Sequence, residues 1–84
     1  MIRVFLADDH EVVRRGITDL HESEDLQIVG EAGTVTEALA RAAAVRPDLS
    51  LLDFRLPDDS GVGLCRELRS MLPGLRCSML NSFD

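Results

Sequence analysis

The chain alternates between short, mainly apolar runs and stretches in which apolar residues recur every three or four positions. Ile2 to Ala7 (IRVFLA) is a run of the first kind, and so are LQIVGEA from Leu26, LSLLDF from Leu49 and LRCSML from Leu75. Each is too short for a buried helix and is bounded by polar, Gly or Pro residues, so each predicts a strand. LSLLDF is nearly unbroken in apolar side chains, as a parallel strand covered on both faces requires, and is expected at the centre of the sheet. Between the runs the period changes. Val13, Gly16, Ile17 and Leu20 fall on one face of a helix over about residues 10–22. Thr34 with Glu37 three positions on predicts a capping box, and Val35, Ala38, Leu39, Ala42 and Val45 share one face of the helix that follows, which Pro47 ends. Ser60 is placed to cap a third helix, with Leu64, Cys65, Leu68, Met71 and Leu72 on its apolar face and Pro73-Gly74 turning the chain into the last strand.

Strands that alternate with helices of about a dozen residues imply right-handed crossovers and an open parallel α/β sheet. Ligands in such sheets bind outside the carboxyl ends of the strands, where the strand order reverses. Asp8 and Asp9 leave the first strand, Asp53 leaves the third and Asn81 leaves the fourth, so periodicity alone brings these four side chains to one edge. Three carboxylates crowded together repel one another, and a bound cation or a raised pKa relieves that. Mg²⁺ suits such a place, since it takes one or two carboxylates and shares its remaining positions with water and phosphate oxygens.

Composition narrows the reading. At 84 residues, 45% hydrophobic and 29% charged, the chain has the make-up of a single soluble globular domain. Its net charge of −6 sets fifteen acids against nine bases, all nine of them arginine. With no basic run it offers nothing to a phosphate backbone, so no direct nucleic-acid binding is expected of this segment. The apolar stretch Val4 to Ala7 is too short for a membrane span or a secretory signal, and two cysteines, Cys65 and Cys77, give no reason to invoke a zinc site or a disulfide. A reduced, cytoplasmic setting is expected.

The segments VFLADDHEVVRRG, VGEAGTVTEALARA, RPDLSLLDFRLPDDSG and LCRELRSMLPGLRC, with their paired acids and the pattern Asp-x-x-x-Pro-x-x-x-Gly from Asp53 to Gly61, resemble the receiver domain of a two-component response regulator of the NarL/FixJ kind. The resemblance runs through essentially all 84 residues. It implies a flavodoxin-like fold, a phosphoryl group accepted on Asp53 from a histidine kinase, and a Mg²⁺ ion held by Asp53, by Asp9 directly, by Asp8 mainly through water and by the backbone carbonyl of Arg55. No enzyme activity beyond self-catalysed phosphoryl transfer is implied. Self-association or pairing with a related regulator is the other partner class expected.

Two departures from the family's pattern bear on function. Asn81 stands where the family carries the Thr or Ser whose hydroxyl reports the phosphoryl group, and its amide can still donate. The family's domain continues through a fourth helix, a fifth strand with a lysine that pairs with the phosphoryl group, and a fifth helix, whereas the present sequence has no lysine. Residues 1–84 are therefore expected to form a partial receiver domain, incomplete after the fourth strand, with no DNA-binding output domain. The competing reading is a receiver stub that no longer switches and works only through protein contacts. A third, a phosphatase with an aspartate nucleophile of the haloacid-dehalogenase type, wants a second Asp two positions after the first, where this chain has Arg55.

The remaining polar residues have plainer readings. Paired acids after a strand also serve as helix caps, and it is the company of Asp53 that turns Asp8 and Asp9 into a site. Asp58 and Asp59 are read as loop and cap residues, His10 as a surface residue at a helix start, Arg14 and Arg15 as a solvated helix face, Cys65 as core and Cys77 as a strand residue.

Overall fold

The computed structural model describes residues 1–10, 14–16, 25–53 and 55–80. Four strands, β1 (Ile2–Ala7), β2 (Leu26–Ala32), β3 (Leu49–Asp53) and β4 (Arg76–Leu80), form one sheet in the order β2-β1-β3-β4. Every pairing is parallel. The chain moves outward from β1 to β2, then crosses back to β3 and on to β4, so the reversal of strand order falls between β1 and β3. The second and third helices expected from the sequence are α1 (Val35–Val45) and α2 (Gly61–Met71). The first lies mostly outside the described residues. Its start is seen as a helical turn at residues 14–16, with the Arg14 amide donating to the His10 carbonyl at 3.0 Å.

Both caps fall where the side chains predict. Thr34 Oγ1 accepts from the Glu37 amide at 3.1 Å and Ser60 Oγ from the Gly63 amide at 3.2 Å. The return bond of the capping box is displaced, because Glu37 Oε1 accepts from Gly33 rather than from Thr34. At the other end of α1, Arg46 takes a left-handed conformation (φ 48°) before Pro47. The guanidinium of Arg3 donates to the carbonyls of Val45 (2.7 Å) and Arg46 (2.8 Å), which satisfies helix-end acceptors and ties α1 to β1.

The core lies mainly between the sheet and the two helices. Phe5, Ala7, Leu52, Leu64, Leu68, Ala38 and Ala42 are all fully buried there, α1 packing on β2 and β1 and α2 on β3 and β4. Met71, expected on the apolar face of α2, is half exposed as the last residue of that helix. Cys65 and Cys77 are partly buried against this core. Burial, with the Cys65 thiol alongside, pushes the Cys77 thiol up to about 12, which leaves it an inert packing group. The opposite sheet face carries Val4, Leu6 and Leu51, with Leu26, Ile28 and Leu49 against them.

β2 contributes to both faces through a single irregularity. Val4 pairs with Ile28 and Phe5 with Gly30, so β2 carries one extra residue, Val29, at that step. Such a bulge shifts the alternation by one. Leu26 and Ile28 accordingly pack on the second face, while Ala32 packs on the first and Gly30 lies under the Phe5 ring.

Candidate functional site: a buried acidic group at the strand reversal

Asp8 follows β1 and Asp53 is the last residue of β3, the two strands that flank the reversal. Both are buried, at 0% and 2% exposure. Two carboxylates in such a place are costly unless hydrogen bonds or a counter-charge meet them. Only half of their oxygens are met. Asp8 Oδ1 accepts from the His10 amide at 2.7 Å, and Asp53 Oδ1 from the Arg55 amide at 3.2 Å. Asp8 Oδ2 and Asp53 Oδ2 are buried without a hydrogen-bond partner.

Asp9 and His10 complete the group. The His10 ring nitrogen Nδ1 lies 3.0 Å from Asp9 Oδ1, 3.1 Å from Asp8 Oδ1 and 3.8 Å from Asp53 Oδ2. One potential ligand atom from each of the four residues lies within 4.8 Å of all the others. Burial raises the carboxyl of Asp53 above its ordinary value, and the charges of Asp8 and Asp9 push the same way. The Arg55 N–H and His10 act against this, without reversing it. The arrangement is an anionic cup with its nucleophilic oxygens unpaired, able to take up a cation and an electrophile beside it.

The structure thus brings together three of the sequence-predicted site residues, Asp8, Asp9 and Asp53, and sets Arg55 immediately beyond them with its amide on Asp53. Asn81 lies outside the described residues. His10 is exposed at the surface, as expected, with its ring 43% exposed, and its Nδ1 also faces the acids. The adjacency Asp-Asp-His was the signal for it in the sequence. The reading of Arg14 is corrected: its side chain is only 24% exposed, with Nε 3.9 Å from Glu31 Oε1.

Asp58 has a role that local sequence does not reveal. Its carboxylate reaches across to the start of α1 and accepts from the Val35 amide (2.7 Å), the Thr36 amide (3.1 Å) and Thr36 Oγ1 (2.9 Å). The Val35 amide is the first cause of a lowered Asp58 pKa. The loop that follows Asp53 is thereby pinned to α1 at a helix end that favours negative charge. Asp58→Ala should lower the thermal midpoint at neutral pH. The difference from the unsubstituted chain should shrink as pH falls, since a depressed carboxylate pKa contributes stability above its unfolded value, near 3.8, that is lost on protonation. A pair of circular dichroism melts at pH 7 and pH 3 checks this; an equal difference at both values would count against it.

An α/β sheet of this order, with acids at the reversal and the Asp53–Gly61 loop leading into a helix, is the arrangement of a receiver domain. Residues 4–84 match the model of the response regulator receiver domain, and the chain belongs to that family. Over 84 residues it is 57% identical to the DNA-binding transcriptional activator DevR/DosR of Mycobacterium tuberculosis, covering 99% of this chain and 39% of that protein. Among solved structures, a LuxR-family two-component response regulator from Aurantimonas superposes with a TM-score of 0.92 at 28% identity, over all of this chain and 61% of the other. The signal receiver domain described as that of the response regulator NarL from M. tuberculosis gives 0.87 at 33% identity, over 99% and 68%. The chain spans about two-fifths of the length of the curated relatives it matches. Among the described residues, no helix is long and apolar enough to cross a membrane.

Proposed function

We propose that residues 1–84 act as a receiver unit in phosphorelay signalling, and that Asp53 accepts a phosphoryl group from the phosphohistidine of a sensor kinase. The observation that carries this reading is Asp53 Oδ2, buried and without a hydrogen-bond partner beside two further carboxylates. A carboxylate held above its usual pKa is a more basic nucleophile and needs no separate base. Asp53 Oδ2 forms the new O–P bond as the P–N bond to the kinase imidazole breaks, and the imidazole leaves with the electron pair. The Arg55 amide on Oδ1 fixes the other oxygen and so orients the attacking one.

The orphaned Asp8 Oδ2 and the carboxylates clustered around it fit a hard divalent cation, and Mg²⁺ is the one proposed. Asp53 and Asp9 would be direct ligands, Asp8 would act mainly through water, and the Arg55 carbonyl would be a further ligand. When bound, the ion supplies positive charge against oxygens that otherwise repel an anionic nucleophile. Asn81 is proposed for the position that reads the phosphoryl group, through its amide.

Incubation with MgCl₂ and acetyl phosphate, followed by intact mass measurement, tests the reading. An adduct of about 80 Da, the mass of one phosphoryl unit, is expected on the chain and absent from Asp53→Asn. A folded, Mg²⁺-binding chain that gains no adduct would sink the phosphoacceptor role and leave a stub acting only through protein contacts.

A further inference from the structure

At the end of the sheet opposite Asp53, where β1, β3 and β4 begin, the loops that enter β3 and β4 border a cleft of about 630 Å³. We propose that this cleft binds a small amphipathic monoanion, an aliphatic carboxylate whose chain lies along the apolar walls and whose charged end lies between Arg46 and Arg76.

Three observations carry it. The first is size and lining. The volume falls within the roughly 300–1,000 Å³ of small-molecule sites. Leu49, Leu72 and Leu75 line the cleft, and Ile2 and Met71 border it at 49% and 46% exposure. Large apolar side chains left half in water around one opening form a surface that gains by being covered.

The second is charge. The chain carries a net −6, yet the lining sets two guanidiniums, Arg46 and Arg76, against one carboxylate, Asp48. Among the described residues neither guanidinium has a hydrogen-bond or ion-pair partner. Asp48 is engaged elsewhere, its Oδ2 accepting from the Arg3 amide at 2.9 Å. One positive charge is left over, which matches a monoanion, whereas a dianion would meet repulsion from Asp48.

The third is preorganisation. Arg46 holds a left-handed conformation (φ 48°), where a Cβ is disfavoured and glycine is the common residue. The Arg3 guanidinium fixes that turn through the Val45 and Arg46 carbonyls. The Asp48 carbonyl accepts from the Arg76 amide at 3.1 Å and so joins the two loops. A site fixed before its ligand arrives loses little entropy on binding.

Calorimetric titration of the folded chain with sodium decanoate, together with methyl NMR, tests the proposal. Saturable one-to-one binding is expected, with shifts at Ile2, Leu49, Met71, Leu72 and Leu75. Affinity should rise roughly fourfold for each CH₂ added from hexanoate to decanoate, as methylene burial requires. Decanol, with the same chain and no charge, should bind at least about threefold more weakly. Arg76→Glu, at an exposed position, should keep the fold and lose decanoate binding. Arg46→Gly should bind about threefold more weakly and yet melt higher than its parent, because glycine relieves the left-handed turn; damage to the fold cannot produce that combination. A folded chain with no saturable binding overturns the proposal. So do equal affinities for decanol and decanoate, shifts centred on Asp8 and Asp53, or decanoate binding unchanged in both arginine variants.

Discussion

Asp53→Asn is expected to raise the thermal midpoint of the metal-free chain at neutral pH and to remove its stabilisation by MgCl₂. Burial, then the neighbouring acids, hold the Asp53 carboxyl above 3.8 in the folded chain. The folded state therefore keeps a proton on Asp53 over a pH range in which the unfolded state has already lost it. Stability then falls as pH rises through that range, from the unfolded value up to the raised folded one, and the whole penalty is present above it. Asparagine has nearly the same shape, carries no charge, and can donate its amide to the oxygens of Asp8 or Asp9. The penalty disappears with the charge. At a pH below the ordinary aspartate value the two chains should melt together, because Asp53 is then neutral in both states. Each kcal/mol moves the midpoint of a domain this size by roughly 4–8 °C, so the rise is readable in a single melt. MgCl₂ should raise the midpoint of the unsubstituted chain with the logarithm of its concentration above the Kd and leave the variant unmoved. A variant that melts lower than its parent at pH 7 would mean that Asp53 is stabilised by contacts stronger than the repulsion around it.

The same substitution shows why the site was legible before the fold was seen. Convergence of Asp8 and Asp53 follows from the strand ends and the parallel sheet that periodicity implies, whereas the strand order that sets β1 beside β3 is seen only in the structure, and β1 and β2 begin and end where the apolar runs do. Thr34 and Ser60 cap by local chemistry within three residues, which a sequence displays directly. What was not legible depends on contacts between distant segments. Asp58 caps a helix that begins 23 positions earlier, and no local rule connects the two. His10 stays exposed, but its Nδ1 comes within 3.1 Å of Asp8 Oδ1. Arg14 is partly covered, with its Nε 3.9 Å from Glu31 on β2. Membership of the first sheet face by Gly30 and Ala32, and of the second by Leu26 and Ile28, could not be read from alternation, because the bulge at Val29 interrupts it.

That bulge makes Phe5 and Gly30 a coupled pair, and the largest losses of stability are expected there. Phe5 is fully buried in the main core and pairs with Gly30 across the sheet. A Cβ placed on Gly30 would stand 2.9 Å from Phe5 Cδ2 and 3.0 Å from Cε2, with Val45 Cγ2 at 3.8 Å behind. The ring is hemmed in and cannot retreat as the tip of a flexible side chain could. Gly30→Ala should therefore cost about 1–3 kcal/mol by overpacking. Phe5→Ala should cost about 3–5 kcal/mol through the cavity it leaves, most of the stability of an ordinary small domain, which is about 5–15 kcal/mol. Made together, the two changes should cost less than their sum, because the alanine methyl at position 30 enters part of the space the ring vacated and no longer meets it. For neighbours sharing one cavity the expected coupling is of order 0.5–3 kcal/mol. Urea unfolding of the four chains, with Phe5→Leu in place of Phe5→Ala if the latter is unfolded in water, measures it. Additive losses would show that the ring is not what keeps position 30 a glycine.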